Sequence, residues 1–127
     1  MKIRFYRNSS SLRGVFNWNK RIKNRNGTVI KIYDKGLAGC VLVRKNWIYS
    51  LVVNPSKRNQ GYGKKLLKEA ENLISKNYKD SYLIPQDNDL DLRDYYINQG
   101  YVGFIGNEPG YEEEDKTWWE MHKDLTC

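Results

Sequence analysis

Residues 58–63, with the sequence Arg-Asn-Gln-Gly-Tyr-Gly, have the residue types and spacing of a loop that binds a pyrophosphate. Glycine at positions 61 and 63 lets the backbone approach phosphate oxygens without a Cβ in the way. Arg58, Lys64 and Lys65 add positive charge beside those glycines. Two glycines ahead of a helix are also compatible with a simple tight turn and helix cap. The residues around the loop therefore have to decide between the two interpretations.

The flanking sequence predicts a strand before this loop and a helix after it. Trp47–Val53 is rich in β-branched and aromatic residues, and Asn54-Pro55 ends the run. A helix is predicted from Gly61 to about residue 76. Its apolar residues recur with helical spacing, at Leu66, Leu67, Ala70, Leu73 and Ile74. The first N–H groups of a helix have no backbone partner and the helix dipole is positive there, so this junction favours an anion.

The remaining pattern predicts an α/β chain with a mixed sheet. Thr28–Tyr33, Leu37–Arg44 and Trp47–Val53 are separated by turn residues and predict an antiparallel meander. Strands are also predicted at 2–7, 81–84, 101–105 and 117–123, and short helices at 12–21 and 91–99. At 127 residues the chain suits one domain, spanning residues 1–127, with helices packed against the sheet.

Two common phosphate-binding motifs are excluded by spacing. The Rossmann fingerprint needs G-x-G-x-x-G and an acid about twenty residues further on, and the P-loop needs G-x-x-x-x-G-K-[ST]. Neither pattern occurs in the sequence.

Residues 53–63 instead resemble motif A of the GNAT superfamily of acyl-CoA-dependent N-acyltransferases, whose core is Arg/Gln-x-x-Gly-x-Gly/Ala. Residues 95–101, Tyr-Tyr-Ile-Asn-Gln-Gly-Tyr, resemble the second landmark of that family, and residues 119–125 are similar to its last strand. The resemblance covers residues 28–125. It implies an α+β fold with a mixed, mostly antiparallel sheet of about seven strands flanked by helices, in which one parallel strand pair splays apart at the CoA site.

The resemblance also implies a function and site residues. The donor would be acetyl-CoA, and the acceptor a primary amine of a small molecule or of a protein lysine or N-terminus. Leu51, Val52 and Val53 would hold the pantetheine and the acyl carbonyl, with a backbone N–H there as oxyanion donor. The pyrophosphate would be bound by Arg58, Asn59, Gln60, Gly61, Tyr62, Gly63 and Lys64. Tyr96 would protonate the leaving thiolate, although a core role is compatible with its place on an apolar helix face.

The sequence departs from the family pattern in three places. The strand Trp47–Val53 carries no acid, so Glu108 and residues 112–115 are candidate bases only if their loop folds over the site; a solvated loop is the alternative. The family often has an Asn seven residues before the Tyr, a position that Asp89 occupies here. Asn88, one residue earlier, is the candidate for the corresponding cofactor contact. In the family, two helices commonly line the acceptor site. Here only about twenty residues, 8–27, are available for this part of the fold. The single histidine, His122, is expected to be structural.

Charge is distributed unevenly along the chain, whose net charge is +7. Residues 1–35 hold ten Lys/Arg and one acid, whereas residues 80–127 hold three Lys/Arg and twelve acids. The basic segment interleaves cations with Phe16 and Trp18, so a nucleic-acid-binding or nucleic-acid-modifying protein is the alternative function. A third possible function is that of a catalytically inactive member of the family, which binds CoA only as a structural ligand.

The composition predicts a cytoplasmic protein without a membrane span. No apolar run approaches the roughly 20 residues that a bilayer requires, and no signal-peptide pattern follows Met1. Cys40 and Cys127 show neither disulfide nor metal spacing, so reduced thiols and no metal are expected. The oligomeric state is expected to be a monomer or a homodimer.

Overall fold

The computed structural model describes residues 1–7, 27–85, 90–106 and 118–126. Within these ranges seven strands are present: β1 (Lys2–Tyr6), β2 (Thr28–Tyr33), β3 (Leu37–Arg44), β4 (Trp47–Val53), β5 (Asp80–Leu83), β6 (Val102–Gly106) and β7 (Trp118–Asp124). The helices are α1 (Tyr62–Ser75) and α2 (Leu90–Asn98), with a short 3-10 helix at Pro55–Lys57. The predicted helix at 12–21 lies outside the described residues.

The strands form one mixed sheet in the order β1-β2-β3-β4-β5-β7-β6. Every neighbouring pair is antiparallel except β4 and β5, which are parallel. A parallel pair needs a crossover connection, and α1 provides it. The seven-strand mixed sheet with one parallel pair confirms the predicted fold class.

The apolar stripe of α1 packs onto one face of the sheet. Leu66 and Ala70 are fully buried, and Leu67 and Ile74 are 2% exposed, because the helical spacing predicted from the sequence places them on one side of the helix. They form a cluster with Ile30, Ile32, Val41, Ile48, Leu83 and Met121 of the sheet, which Tyr96 of α2 and Tyr101 also join. Both described helices therefore contribute to the same core.

A buried polar network ties α1 to β5 and β7. Glu71 of α1 accepts hydrogen bonds from Lys123 Nζ at 3.0 Å and from the Tyr101 hydroxyl at 2.9 Å. The Tyr101 hydroxyl also contacts Ser81 Oγ at 2.8 Å. Both oxygens of the carboxylate are thus satisfied, as burial of a charge requires. The network fixes the end of α1 that is remote from the loop at residues 54–61.

The opposite face of β2, β3 and β4 carries a second buried cluster, formed by Val29, Cys40, Leu42 and Val52. Burial raises the pKa of the Cys40 thiol to about 11, so the thiol stays protonated at neutral pH. Among the described residues no helix is long and apolar enough to cross a membrane, and no group of three or more His, Cys, Asp or Glu side chains is placed to hold a metal ion.

Candidate active site

The segment between β4 and α1 has the geometry of an anion-binding loop. Asn59 and Gly61 both have left-handed backbone, with φ of 64° and 85°. Gly61 caps α1 without any side-chain hydrogen bond, so no side chain occupies the first N–H groups of the helix. Arg58, Lys64 and Lys65 are exposed around this helix end. Free N–H groups, a positive helix dipole and three cations together suit a phosphate group.

Two contacts from the turn between β2 and β3 fix the position of this loop. The Tyr62 hydroxyl donates to Asp34 Oδ2 at 2.6 Å, and Lys57 Nζ donates to the Asp34 carbonyl oxygen at 2.6 Å. The hydrogen bond from Tyr62 is the main cause of a lowered pKa of Asp34. The same bond is the main cause of the raised pKa of Tyr62. The start of α1 is thereby tied to a turn that is distant in sequence.

Asn54, the last residue before the 3-10 helix, strengthens the same connection. Its Nδ2 donates to the Leu37 carbonyl at 3.1 Å, and its Oδ1 accepts from the Ser56 N–H at 3.1 Å. One side chain therefore both caps the short helix and holds the loop to the start of β3.

Strands β4 and β5 pair over a short distance only and then separate. Their parallel register comprises Trp47 with Tyr82 and Ile48 with Leu83, after which β4 continues alone on that side to Val53. A β-bulge lies at the separation, because Ser50 pairs with Leu42 and Ile48 with Val43, which leaves Tyr49 as the extra residue. The bulge and the early end of β5 open a wedge between the two strands.

Backbone groups of β4 that have no strand partner line this wedge. The Asn54 N–H donates to the Ala38 carbonyl at 2.7 Å, so Asn54 directs its backbone groups towards β3. The backbone N–H and C=O groups of successive residues point to opposite edges of a strand. Those of Val52 therefore also point towards β3, whereas those of Leu51 and Val53 point towards the wedge. Arg58 Nε reaches the Val53 carbonyl from that side, at 3.4 Å. Leu51 and Val53 are therefore available to pair with an extended ligand.

Gly63 brings the loop and the wedge together. A Cβ placed on Gly63 would lie 3.6 Å from Leu51 Cδ2, 3.6 Å from Val53 Cγ2 and 3.9 Å from the Tyr95 hydroxyl oxygen. The first turn of α1, the open half of β4 and one phenol of α2 thus meet at a single place.

Two adjacent phenols of α2 lie in different environments, and it is the Tyr95 hydroxyl that lies beside Gly63. Tyr96 is 8% exposed, and its ring packs edge-on against Tyr95 and Tyr101. Burial, with a smaller effect of Tyr95, raises the pKa of Tyr96 to about 12. Tyr95 is half-buried, and burial followed by the charge of Glu71 raises its pKa. Both phenols are proton donors rather than phenolates at neutral pH.

The match to a known family extends over most of the chain. Residues 11–125 match the family model described as "Acetyltransferase (GNAT) domain". The chain belongs to the GNAT family of acetyltransferases. It is an acetyl-CoA-dependent acetyltransferase, and the family expected from residues 53–63 is confirmed. No curated protein has a sequence that matches this chain significantly.

Solved structures confirm the GNAT fold at low sequence identity. Spermidine N-acetyltransferase SpeG (F149A mutant) from Vibrio cholerae has a TM-score of 0.73 at 14% identity, over 98% of this chain and 95% of that one. The yncA protein of Salmonella typhimurium, solved with acetyl-CoA, has a TM-score of 0.71 at 13% identity, over 100% and 95%. Naa20 of Chaetomium thermophilum, solved with a bisubstrate analogue, has a TM-score of 0.73 at 12% identity, over 98% and 87%.

The structure of this GNAT chain brings most of the sequence-predicted site residues to one region. Leu51, Val53, the loop residues 58–63 and Lys64 surround the wedge, whereas Val52 directs its side chain into the second core cluster. Asn88, Glu108 and residues 112–115 lie outside the described residues. Sequence reasoning did not select Tyr95 or Asp34. The only signal for Tyr95 was its position beside Tyr96, and Asp34 gave none because its contact with Tyr62 spans 28 residues.

Proposed function

We propose that this GNAT protein transfers an acetyl group from acetyl-CoA to a primary amine, which attacks the thioester directly. The observation that carries the proposal is the open half of β4, where the backbone groups of Leu51 and Val53 have no strand partner on the wedge side, directly beside the loop at residues 58–63. An acyl-CoA has the matching chemistry, because its amide-containing pantetheine arm is joined to a pyrophosphate.

The donor is bound along this surface. The pantetheine amides pair with the backbone of Leu51 and Val53, and Val52 holds the strand to β3. The pyrophosphate lies on the N–H groups at the start of α1, with the loop residues Arg58, Asn59, Gln60, Gly61, Tyr62 and Gly63 and the side chain of Lys64 around it. The hydrogen bonds of Tyr62 with Asp34 and of Asn54 with Leu37 support this assignment, because they position the loop without needing a ligand.

The reaction forms a C–N bond and breaks the C–S bond. The amine attacks the thioester carbonyl carbon, and a backbone N–H of β4 at the wedge stabilises the negative charge that develops on the carbonyl oxygen. When the C–S bond breaks, Tyr96 gives its proton to the departing thiolate. The attacking nitrogen loses one proton to water, and a proton from water restores the Tyr96 phenol. A phenol with its pKa raised to about 12 is fully protonated at neutral pH and is therefore available for this step.

The acceptor is a primary amine of a small molecule or of a protein. The structural neighbours named for spermidine and for nourseothricin support the small-molecule class. The alternative function, nucleic-acid binding, depends on basic residues of the N-terminal segment. These lie outside the described residues and are Arg13, Lys20, Arg21, Lys23 and Arg25.

Donor binding and amine-dependent CoA release test the proposal. Acetyl-CoA is expected to raise the melting temperature and to bind saturably by calorimetry, and a thiol reagent should detect free CoA once a suitable amine is supplied. Replacing Gly63 by Val should weaken binding, because a branched side chain fills the space beside Leu51 and Val53. Absence of saturable acetyl-CoA binding would disprove the donor assignment. Binding without release, across a panel of small amines and peptides, would favour the structural-ligand alternative.

A further inference from the structure

An aromatic and acidic surface lies on the sheet face opposite α1, where β4, β5 and β7 adjoin. Ile48 of β4, Leu83 of β5 and Met121 of β7 point into the core formed with α1. Side chains alternate along a strand, so their neighbours project from the other face. We name this surface the aromatic face; it comprises Trp47, Tyr49, Asp80, Tyr82, Glu120 and His122.

The rings of the aromatic face form a continuous row across three strands. Trp47 stacks on Tyr82 with centroids 5.2 Å apart, and Tyr82 contacts the His122 ring at 4.8 Å. Tyr49, the extra residue of the bulge, lies 6.5 Å from Trp47 at the end of the row. Tyr49 is 37% exposed, and the His122 side chain is 35% exposed. The rings of the row therefore contact one another in stacked or tilted arrangements and are still partly open to solvent.

Negative charge accompanies these rings in a protein whose net charge is +7. Asp80 accepts from Asn46 Nδ2 at 3.1 Å and lies 3.4 Å from both the Tyr82 hydroxyl and His122 Nε2. Burial raises the pKa of Tyr82, and the charges of Asp80 and Glu120 raise it further, so both carboxylates act on this ring.

Other charges border the aromatic face on both sides. Asp124, opposite Asp80 in the register, lies beyond it on β7. Arg44, the partner of Trp47 in the register, lies on the β3 side. Lys79, which precedes β5, lies close enough for its charge to act on Asp124. The three acids Asp80, Glu120 and Asp124 therefore outnumber the cations Arg44 and Lys79 in this part of the described sheet.

The aromatic face adjoins the wedge on the side away from the donor. The register of β4 with β5 ends at Ile48 and Leu83, one residue beyond the stacked pair Trp47 and Tyr82. The anion-binding loop, Gly63 and Tyr95 all lie on the α1 side of the sheet. If the thioester is held in the wedge from that side, these rings border the opposite face, from which an amine can approach.

We propose that the aromatic face binds the acceptor and selects an amine that carries a second positive centre. The attacking nitrogen enters the wedge as the neutral amine, and the second centre rests against the aromatic rings and the carboxylates of Asp80 and Glu120. Aromatic faces attract cations through their quadrupole, and adjoining carboxylates strengthen that attraction. This inference rests on the proposed function, because it takes the donor to occupy the α1 side.

Two amines of equal chain length, 1,5-diaminopentane and pentylamine, test the inference. Their dissociation constants are measured by calorimetry on the full chain with saturating CoA. The diamine is expected to bind at least about tenfold more tightly, because only it can place one nitrogen in the wedge and a second, cationic nitrogen against the rings and carboxylates. Glu120→Gln and Trp47→Leu should each reduce this preference severalfold and leave the acetyl-CoA affinity unchanged. Glu120→Gln should also leave the melting temperature unchanged.

Asp94→Asn is the matched control, because it removes an exposed carboxylate on α2, away from the aromatic face. It should preserve the diamine preference. Equal binding of the two amines by the wild type would overturn the inference, as would an unchanged preference in Glu120→Gln. If Trp47→Leu fails to fold, Glu120→Gln decides the question alone. Loss of the proposed function would show separately, as failure to bind acetyl-CoA.

Discussion

Tyr95 and Tyr96 are adjacent phenols with different access to the wedge, so their phenylalanine variants separate two roles. Tyr96→Phe should lower kcat roughly 100-fold, the lower range for loss of a general acid, and leave the affinity for acetyl-CoA nearly unchanged. Tyr95→Phe should instead affect mainly the affinity for acetyl-CoA, because the Tyr95 hydroxyl lies near Gly63. Steady-state kinetics with the best amine, together with calorimetry, check both. The reverse pattern would move the acid role to Tyr95.

Gly61 and Gly63 are both part of the loop but should tolerate alanine differently. Gly61 has open space around it yet a φ of 85°, so Gly61→Ala should destabilise the fold by about 1 kcal/mol or more through backbone strain. Gly63 has ordinary backbone, and an added Cβ would make normal contacts at 3.6 Å, so Gly63→Ala should fold like the wild type. Urea unfolding measures both variants. Equal losses of stability would contradict this account.

At the scale of elements, the contact between the β2–β3 turn and α1 should determine how well the loop is ordered for the donor. Asp34→Ala and Tyr62→Phe should each weaken acetyl-CoA binding, and the double variant should bind no more weakly than the weaker single one, because both changes break the same hydrogen bond. Calorimetry on the four proteins completes the cycle. Additive losses would show that the two residues act independently.

The pH dependence of that contact follows from the two pKa shifts. The lowered pKa of Asp34 means that its stabilisation is present above the unfolded value, about 3.9, and is lost as the pH falls further. The raised pKa of Tyr62 means that its stabilisation is present below about 10 and is lost as the pH rises beyond that value. The coupling measured in the double-mutant cycle should therefore persist between about pH 4 and pH 10.

Elements with a regular pattern could be predicted from the sequence, and contacts between distant residues could not. The bounds Thr28–Tyr33, Leu37–Arg44 and Trp47–Val53 are confirmed, because turn residues separate three β-rich runs. The helix predicted at 91–99 is observed at Leu90–Asn98, a shift of one residue. The parallel pairing of β4 with β5 followed from the family resemblance and not from the pattern. The bulge at Tyr49 was not predicted, because register depends on both strands.

The candidate site was predicted to a similar extent. The loop at 58–63 is local, so its glycines and cations were visible in the sequence, and the structure places them at the start of α1. The aromatic face combines residues from three strands that are far apart in the chain, and only the sheet order brings Trp47, Tyr82 and His122 together. A row of this kind has no signature in a single segment.

At the scale of the whole molecule, the contrast between a basic first part and an acidic last part allows the two candidate functions to be distinguished by salt. Contacts with the phosphates of a single strand make log K fall with log[salt] at a slope of about −0.7 per neutralised phosphate. Under the proposed acetyltransferase function, a mixed-sequence single-stranded oligonucleotide should bind only weakly at low salt and show no saturable binding at physiological ionic strength. Acetyl-CoA, held also by backbone groups of β4, should remain bound.

Fluorescence anisotropy with a labelled oligonucleotide and calorimetry with acetyl-CoA, over the same salt series, make this comparison. A variant with Gln at positions 13, 20, 21, 23 and 25 should lose the low-salt oligonucleotide binding, since the cations of the N-terminal segment are its source. The same variant should keep its affinity for acetyl-CoA, because the loop at 58–63 is unchanged. Saturable binding of the wild type at physiological salt, abolished in this variant, would instead establish nucleic acid as a partner.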